Sequence, residues 1–351
     1  MRDVITDETA AAIDTGEVAT DVASSTGLSP DALTDVLEQH RRELTGYCYR
    51  MLGSTFEAED AVQETMIRAW RAYDRFEGRS SLRSWLYRIA TNVCFDTMQG
   101  RQRRARPMDM GPSAGPQPQL GAPLSESVFV EPIPDGRVVR DDADPAEVTA
   151  TRESIRLAFV AALQLLPATQ RAVLILREVL RWKASEVATL LGTTVVSVNS
   201  SLQRARAALA AAQPTETEVV EPSDEQRVLL ARYLDAFERY DLDALVGLLH
   251  QDATLSMPPY DLWLRGPEAI TYWMLGPGHA CEGSRLVPTI ANGTPAFGQY
   301  RRSGPGGSFE PWALQVLEIV DGKVVALNSF LDTAHLFPLF GLPDTPPERA
   351  D

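Results

Sequence analysis

The sequence predicts a multidomain protein in which two all-α helical domains precede an α+β domain. Three observations carry this expectation. The chain has 351 residues, more than one core usually organises. Proline-rich stretches break it twice, and the apolar period shifts from helical to alternating in its last third. The expected boundaries are 1–29 for a disordered acidic tail, 30–106 and 149–212 for the helical modules and 224–343 for the α+β module. Linkers fill 107–148 and 213–223, and 344–351 is a C-terminal tail.

The first module reads as helices throughout. Ser29 followed by Pro30 is an N-cap with proline at the first helical position, predicting one helix to Met51 or Leu52 that stops at Gly53. Ser54 with Glu57 forms a capping box for a helix over Thr55 to Arg75, with Ala61, Val62, Met66, Ala69 and Trp70 inward. After a loop from Phe76 to Ser81, a third helix places Trp85, Leu86, Ile89, Val93 and Met98 at helical spacing. It ends in the basic run Arg101, Arg103, Arg104, Arg106. Prolines from Pro107 to Pro134 then deny the backbone helix, which predicts an irregular tether.

The second module carries one apolar stripe through Ile155, Phe159, Leu163 and Leu166 and another through Val173, Leu176 and Leu180. Ala184 to Leu191 joins Val195 to Leu209 through Gly192, Thr193 and Thr194, the length and turn chemistry of a helix-turn-helix. If Val195, Val198, Leu202, Ala205 and Leu209 are buried, Ser197, Ser200 and Arg204 point outward, with Asn199 and Gln203 on the flanks. Small polar residues plus arginine suit a major groove. The third module opens with two amphipathic helices and continues into strands joined as a curved antiparallel sheet. Asp321-Gly322 marks a tight hairpin there.

Composition excludes several classes. No apolar stretch approaches the ~20 residues of a membrane helix, and the polar, acidic start lacks the features of a secretory signal, so a cytoplasmic location without membrane attachment is expected. Cys48, Cys94 and Cys281 are too few and too far apart for a disulfide framework or a metal knuckle, and no cofactor or metal is called for. The net charge of −15 opposes indiscriminate nucleic-acid binding, yet arginines concentrate in 83–106 and 171–206. Local nucleic-acid contacts are therefore expected.

Four strings in order carry a resemblance. They are Glu59-Asp60-Ala61-Val62-Gln63-Glu64-Thr65; Phe76-Glu77-Gly78-Arg79-Ser80-Ser81-Leu82-Arg83-Ser84-Trp85-Leu86-Tyr87-Arg88-Ile89-Ala90-Thr91-Asn92; Leu166-Pro167-Ala168-Thr169-Gln170-Arg171; and Gln203-Arg204-Ala205-Arg206. The chain resembles a bacterial extracytoplasmic-function (ECF) sigma factor of the sigma-70 family, the modules corresponding to sigma region 2 and sigma region 4. Its third module resembles the NTF2-like, SnoaL-type cone.

The resemblance implies core RNA polymerase (β′ clamp and β flap) and promoter DNA as partners. Asp60, Gln63 and Glu64 are then the polymerase-docking residues, carboxylates aimed at arginines. Arg79, Ser80, Arg88 and Asn92 hold minus 10 bases out of the stack, and Arg101, Arg103 and Arg104 neutralise upstream phosphates. Asn199, Ser200, Gln203 and Arg204 read the minus 35 element. The helix is poor in cations near Asn199 compared with many relatives, which points to a weak or shape-driven contact. Trp85 is core or a wedge at the duplex edge, and Arg206 holds phosphate or pairs with an acidic neighbour. The tether, with Asp135, Asp141, Asp142 and Asp144, threads the polymerase cleft as a nucleic-acid mimic or serves as a contact-free spacer.

In the cone, Tyr233, His250, Asp252, Met257, Tyr260, Trp263 and Trp273 are the expected lining of a small-molecule pocket. No nucleophile triad, metal spacing or phosphate loop appears, so a non-catalytic regulator is expected, and His250 is expected to close a helix. The string Met257-Pro258-Pro259-Tyr260-Asp261-Leu262-Trp263 suits a pocket rim or a surface docking on the other modules. Two rivals stay open: a one-component ligand-sensing helix-turn-helix regulator, and a SnoaL-type isomerase or cyclase fused to a DNA-binding module. The promoter, the inducing signal and any anti-sigma factor are not legible.

Overall fold

A computed structural model describes residues 30–115, 119–212 and 224–348. The tail 1–29 and the linker 213–223 lie outside these residues. The first module holds α1 (Pro30–Glu38), α2 (Arg41–Leu52), α3 (Thr55–Ala72) and α4 (Leu82–Met98). The single helix expected to Leu52 is broken at Gln39 and His40, where the His40 amide bonds Leu37 O at 3.0 Å. The break lets α1 lay Leu33 and Leu37 onto the core while α2 buries every residue from Leu44 to Leu52. Ser54 caps α3, accepting from the Glu57 amide at 3.2 Å, but Glu57 does not complete a box. Its carboxylate turns to Arg104 instead, at 2.9 Å.

The second module comprises α5 (Pro145–Ile155), α6 (Leu157–Gln164), α7 (Ala168–Leu174) with a π turn over Ile175–Val179, α8 (Ala184–Leu191) and α9 (Val195–Ala212). Gly192 ends α8 at φ 61, the left-handed cap that the helix-turn-helix turn requires. Val198, Leu202 and Ala205 are buried as expected, with Ser201 beside them, whereas Val195 is 42 % exposed.

The third module starts with α10 (Asp224–Glu238) and α11 (Leu242–Val246) and continues through β1 (Leu249–Ser256), β2 (Trp263–Arg265), α12 (Pro267–Leu275), β3 (Arg285–Ala291), β4 (Thr294–Arg301), β5 (Glu310–Val320), β6 (Lys323–Phe330) and α13 (Thr333–Leu339). The sheet order is β2-β1-β6-β5-β4-β3. It is not wholly antiparallel, because β1 runs parallel to β6. Two hairpins turn on left-handed pairs, the expected Asp321-Gly322 (φ 49 and 68) and Asn292-Gly293 (φ 54 and 71). His250 lies within β1 and closes no helix; its Nδ1 accepts from the Asp252 amide at 3.1 Å.

The modules share a core. One continuous apolar cluster joins Tyr47, Leu163, Ile133 of the linker, and Tyr300 and Phe337 of the third module, while a second fills the cone. The linker is more than a tether. Phe129, Val130, Ile133 and Val138 are at most 4 % exposed, since proline forbids helix but not burial of the apolar residues between prolines. Each such side chain contributes roughly 1.5–3 kcal/mol. No helix among the described residues is long and apolar enough to cross a membrane.

Candidate nucleic-acid interface and the contacts that close it

On α3, Asp60 and Gln63 face solvent, and Glu64 is held by Arg68 at 2.6 Å. The inward stripe of the same helix, Ala61, Val62, Thr65, Met66 and Ala69, fixes this polar face outward. The loop after α3 carries Arg79 and Ser80 at the surface, Arg79 paired with Glu77 at 2.9 Å. Ser81 caps α4 from the Ser84 amide at 3.1 Å, and Arg88 and Asn92 stand one turn apart on its exposed face. Trp85 is half-buried. Its ring lies 5.0 Å from Phe76 and 6.5 Å from Tyr73, so it supports the loop as part of an aromatic cluster.

The basic run divides. Arg103 is exposed, and Arg101 is exposed but paired with Glu57. Arg104 corrects the expectation of a phosphate contact, being 6 % exposed with its donors spent on Phe129 O (2.7 Å), Glu126 O (3.1 Å), Glu131 (3.0 Å) and Glu57 (2.9 Å). It fastens the linker to α3. Burial raises the Glu131 carboxyl above the usual range even beside Arg104.

On α9, Asn199, Gln203 and Arg204 are exposed and Ser200 is half-buried. Arg206 pairs with Glu178 at 2.7 Å, which decides between its two expected roles in this conformation. The groups expected to meet the minus 10 and minus 35 elements therefore sit on α4 with its flanking segments and on α9, within one compact body. Packing of α8 on α4 joins them, with Trp182 lying 5.0 Å from the Tyr87 ring and Arg83 over both rings.

The linker aspartates have intramolecular partners. Asp141 meets Arg42 at 2.5 Å, Asp142 meets Arg140 at 2.7 Å, and Asp144 caps α5 from the Glu147 amide at 2.9 Å. Asp135 is buried between Arg152 Nε (2.9 Å) and the Gly293 amide (2.8 Å), and burial raises its carboxyl. A linker so paired neither threads a cleft nor hangs free in this conformation.

The Asn292-Gly293 turn of the β3–β4 hairpin enters the seam between all these parts. Asn292 is 1 % exposed. Its Nδ2 donates to Tyr49 Oη and Ile155 O, both at 2.6 Å, and its Oδ1 accepts from the Ile133 amide at 2.9 Å. One side chain thus joins the first module, the linker and the second module. Nearby, Arg50 of α2 donates to Ser154 Oγ at 2.6 Å and is pushed down to about 10 by burial. These seam residues lay outside the expected sites, although an Asn-Gly pair between two β-rich runs is a hairpin signal.

The cone contains a cavity of about 200 Å³. Of the expected lining only Met257 and Trp273 border it. Tyr233 lies behind the wall, donating to Gln315 at 2.9 Å. Asp252 pairs with Arg265 at 3.0 Å on the outer side of the sheet, His250 stands beside it, and Tyr260 and Trp263 belong to the rim. Strand alternation explains the misses, because His250 and Asp252 share the face of β1 opposite the cavity-lining Leu255. The rim docks the linker: Trp263 Nε1 donates to Gly111 O at 2.9 Å, and the Ala114 and Leu124 amides donate to Trp263 O (2.9 Å) and Pro259 O (2.8 Å).

Comparison with known proteins gives three family matches: Sigma-70 region 2 over residues 36–104, Sigma-70 region 4 over 156–209 and a SnoaL-like domain over 230–327. The chain is 49 % identical over 313 residues to the ECF RNA polymerase sigma factor SigG of Mycobacterium tuberculosis, covering 88 % of this chain and 83 % of that one. It is 27 % identical over 303 residues to SigJ of the same organism, covering 83 % and 88 %. The crystal structure of SigJ superposes with a TM-score of 0.57 at 22 % identity over 88 % of this chain and 100 % of that one.

Proposed function

The chain belongs to the ECF sigma factors, which bind core RNA polymerase and direct promoter recognition and transcription initiation, and we propose that its SnoaL-like domain holds the two sigma modules shut until polymerase engages them. In this reading Asp60, Gln63 and Glu64 dock on the polymerase clamp. Arg79, Ser80, Arg88 and Asn92 hold the opened minus 10 bases, with Arg101 and Arg103 on upstream phosphates. Asn199, Ser200, Gln203 and Arg204 meet the minus 35 element.

Geometry argues that the closed form cannot engage both elements. They are about 25 base pairs apart by position, or ~85 Å of duplex at ~3.4 Å per pair. Helices α4 and α9, of 17 and 18 residues, are each under about 30 Å long and are bridged by α8, which touches α4. Opening requires the Asn292-Gly293 turn to leave the seam, and the bonds of Asn292 to three separate parts of the sigma body are the observation that carries the proposal.

A cross-link tests this directly. Pro134 of the linker and Ala291 of β3 face one another as an antiparallel bridge, close enough for a disulfide after Pro134→Cys and Ala291→Cys. The oxidised double variant should fail in run-off transcription with core polymerase and recover on reduction. Equal run-off from both forms would contradict the proposal.

A further inference from the structure

Val196 is the most exposed large apolar side chain among the described residues, at 76 %. It belongs to neither apolar cluster and stands on the first turn of α9. That turn is fixed by its cap: Thr194 Oγ1 accepts from the Ser197 amide at 3.2 Å, and Thr194 O accepts from the Val198 amide at 3.0 Å. Valine is a mediocre helix former, and an exposed one adds nothing to the core, so the local fold does not call for it here. A single exposed apolar residue is ordinary on any surface. Direction sets Val196 apart.

The buried side of α9 is made by Val198, Ser201, Leu202 and Ala205. At about 100° per residue, Val196 points within roughly 10° of the direction opposite their mean. Asn199, Ser200 and Gln203 follow it at i+3, i+4 and i+7, the spacing of one helix stripe. Val196 therefore heads the face that carries the proposed base readers. Its polar neighbours make that face a poor apolar docking patch for another protein. The cations of α9 are Arg204 and Arg206, and Arg206 is paired with Glu178 at 2.7 Å. Neutral groups are left to discriminate bases at the start of the helix. The apolar feature that distinguishes base pairs in the major groove is the thymine 5-methyl group. A β-branched side chain, stiff at χ1 within a helix, presents two methyl groups to it at little cost in entropy.

We propose that Val196 is a specificity-determining residue of the minus 35 contact, packing its methyl groups on the 5-methyl of a thymine in the upstream element. The proposal rests on the reading that α9 enters the major groove there. The N-terminal residues of a recognition helix lie against the base edges, which gives a short side chain its reach. Arg204 lies eight residues on, about 12 Å farther along the helix axis, so the two residues address different base pairs.

The test uses the full chain with core polymerase and duplexes carrying a randomised upstream element. Selected duplexes are then remade with single thymines replaced by deoxyuridine, which removes only the methyl group. The wild type should enrich thymine at one position. Deoxyuridine at that position should weaken wild-type binding about fourfold, the worth of one buried methyl group, and leave Val196→Ala unchanged. Alanine, the best helix former, keeps the first turn of α9 intact. The Val196→Ala chain should lose the thymine preference at that position alone and keep the preference that Arg204→Ala relaxes. The same profile from wild type and Val196→Ala, or an equal deoxyuridine penalty in both, would overturn the proposal. If Arg204→Ala still alters the profile, the methyl contact alone is refuted; if neither variant alters it, the assignment of α9 as the reading helix is refuted as well.

Discussion

Asn292→Gly isolates the proposed latch. Asn292 sits at φ 54, a conformation glycine adopts without strain, so the turn survives and only the side-chain bonds are lost. The backbone contacts of the tip also survive: the amide of residue 292 to Ile133 O at 3.0 Å, and the Gly293 amide to Asp135 at 2.8 Å. Three hydrogen bonds disappear, to Tyr49, Ile155 and Ile133. At about 1 kcal/mol net each the loss is ~3 kcal/mol. That corresponds to roughly a hundredfold shift in the closed-to-open ratio, since ~1.4 kcal/mol is a factor of ten. Hydrogen exchange measures the ratio directly. Amides of Val130, bonded to Ala105 O, and of Val138 and Val139, bonded to Asp135 O, should lose about two decades of protection. Val316 and Leu327 in the centre of the sheet should change little. Unchanged linker protection would refute the latch, and an equal loss in the sheet would mean that Asn292 serves only the fold of its own domain.

Alanine at Asp60, Gln63 and Glu64 together should weaken association with core polymerase by about tenfold or more in a pull-down titration, because an anionic docking face is removed; unaltered binding would disprove the assignment. Arg204→Ala should relax upstream base preference by about 1–3 kcal/mol of discrimination, measured as run-off from promoter variants, and an unchanged promoter profile would count against α9 as the reading helix. His335 is raised above the ordinary histidine range by its hydrogen bond to Asp332 at 2.8 Å. A raised folded value means that the stabilisation is complete below the ordinary histidine range and is lost as pH rises through the raised value. The pair is exposed, so the effect is under about 1 kcal/mol, and Tm should decline slightly more between pH 6 and pH 9 in the wild type than in His335→Gln. Parallel profiles would exclude the pair as a contributor.

Local chemistry carried far in this chain. The Ser54 cap, the Gly53 and Gly192 helix stops and the Asp321-Gly322 hairpin depend on neighbours a few residues away, and each appears in the fold. The outward polar face of α9 is legible for the same reason, since helical period alone separates Val198 and Leu202 from Asn199, Gln203 and Arg204. What escaped depends on partners distant in sequence. Arg104 looks like its exposed neighbour Arg103 until Glu57 and Glu131 close around it. Ile133 and Val138 read as spacer because proline dominates their surroundings, yet they fill space between modules that no local pattern anticipates. His250 and Asp252 were displaced by strand phase, where a one-residue error sends a side chain to the opposite face.

Initiation should move the two sigma modules apart. Spin labels at two exposed positions outside the proposed interfaces, Gln99 after α4 and Thr189 on α8, report the separation of the sigma modules. Pulsed dipolar spectroscopy on the free chain should give one short distance, replaced by a distance longer by tens of ångströms once core polymerase and promoter DNA are bound. An initiating holoenzyme that retains the short distance would contradict this separation.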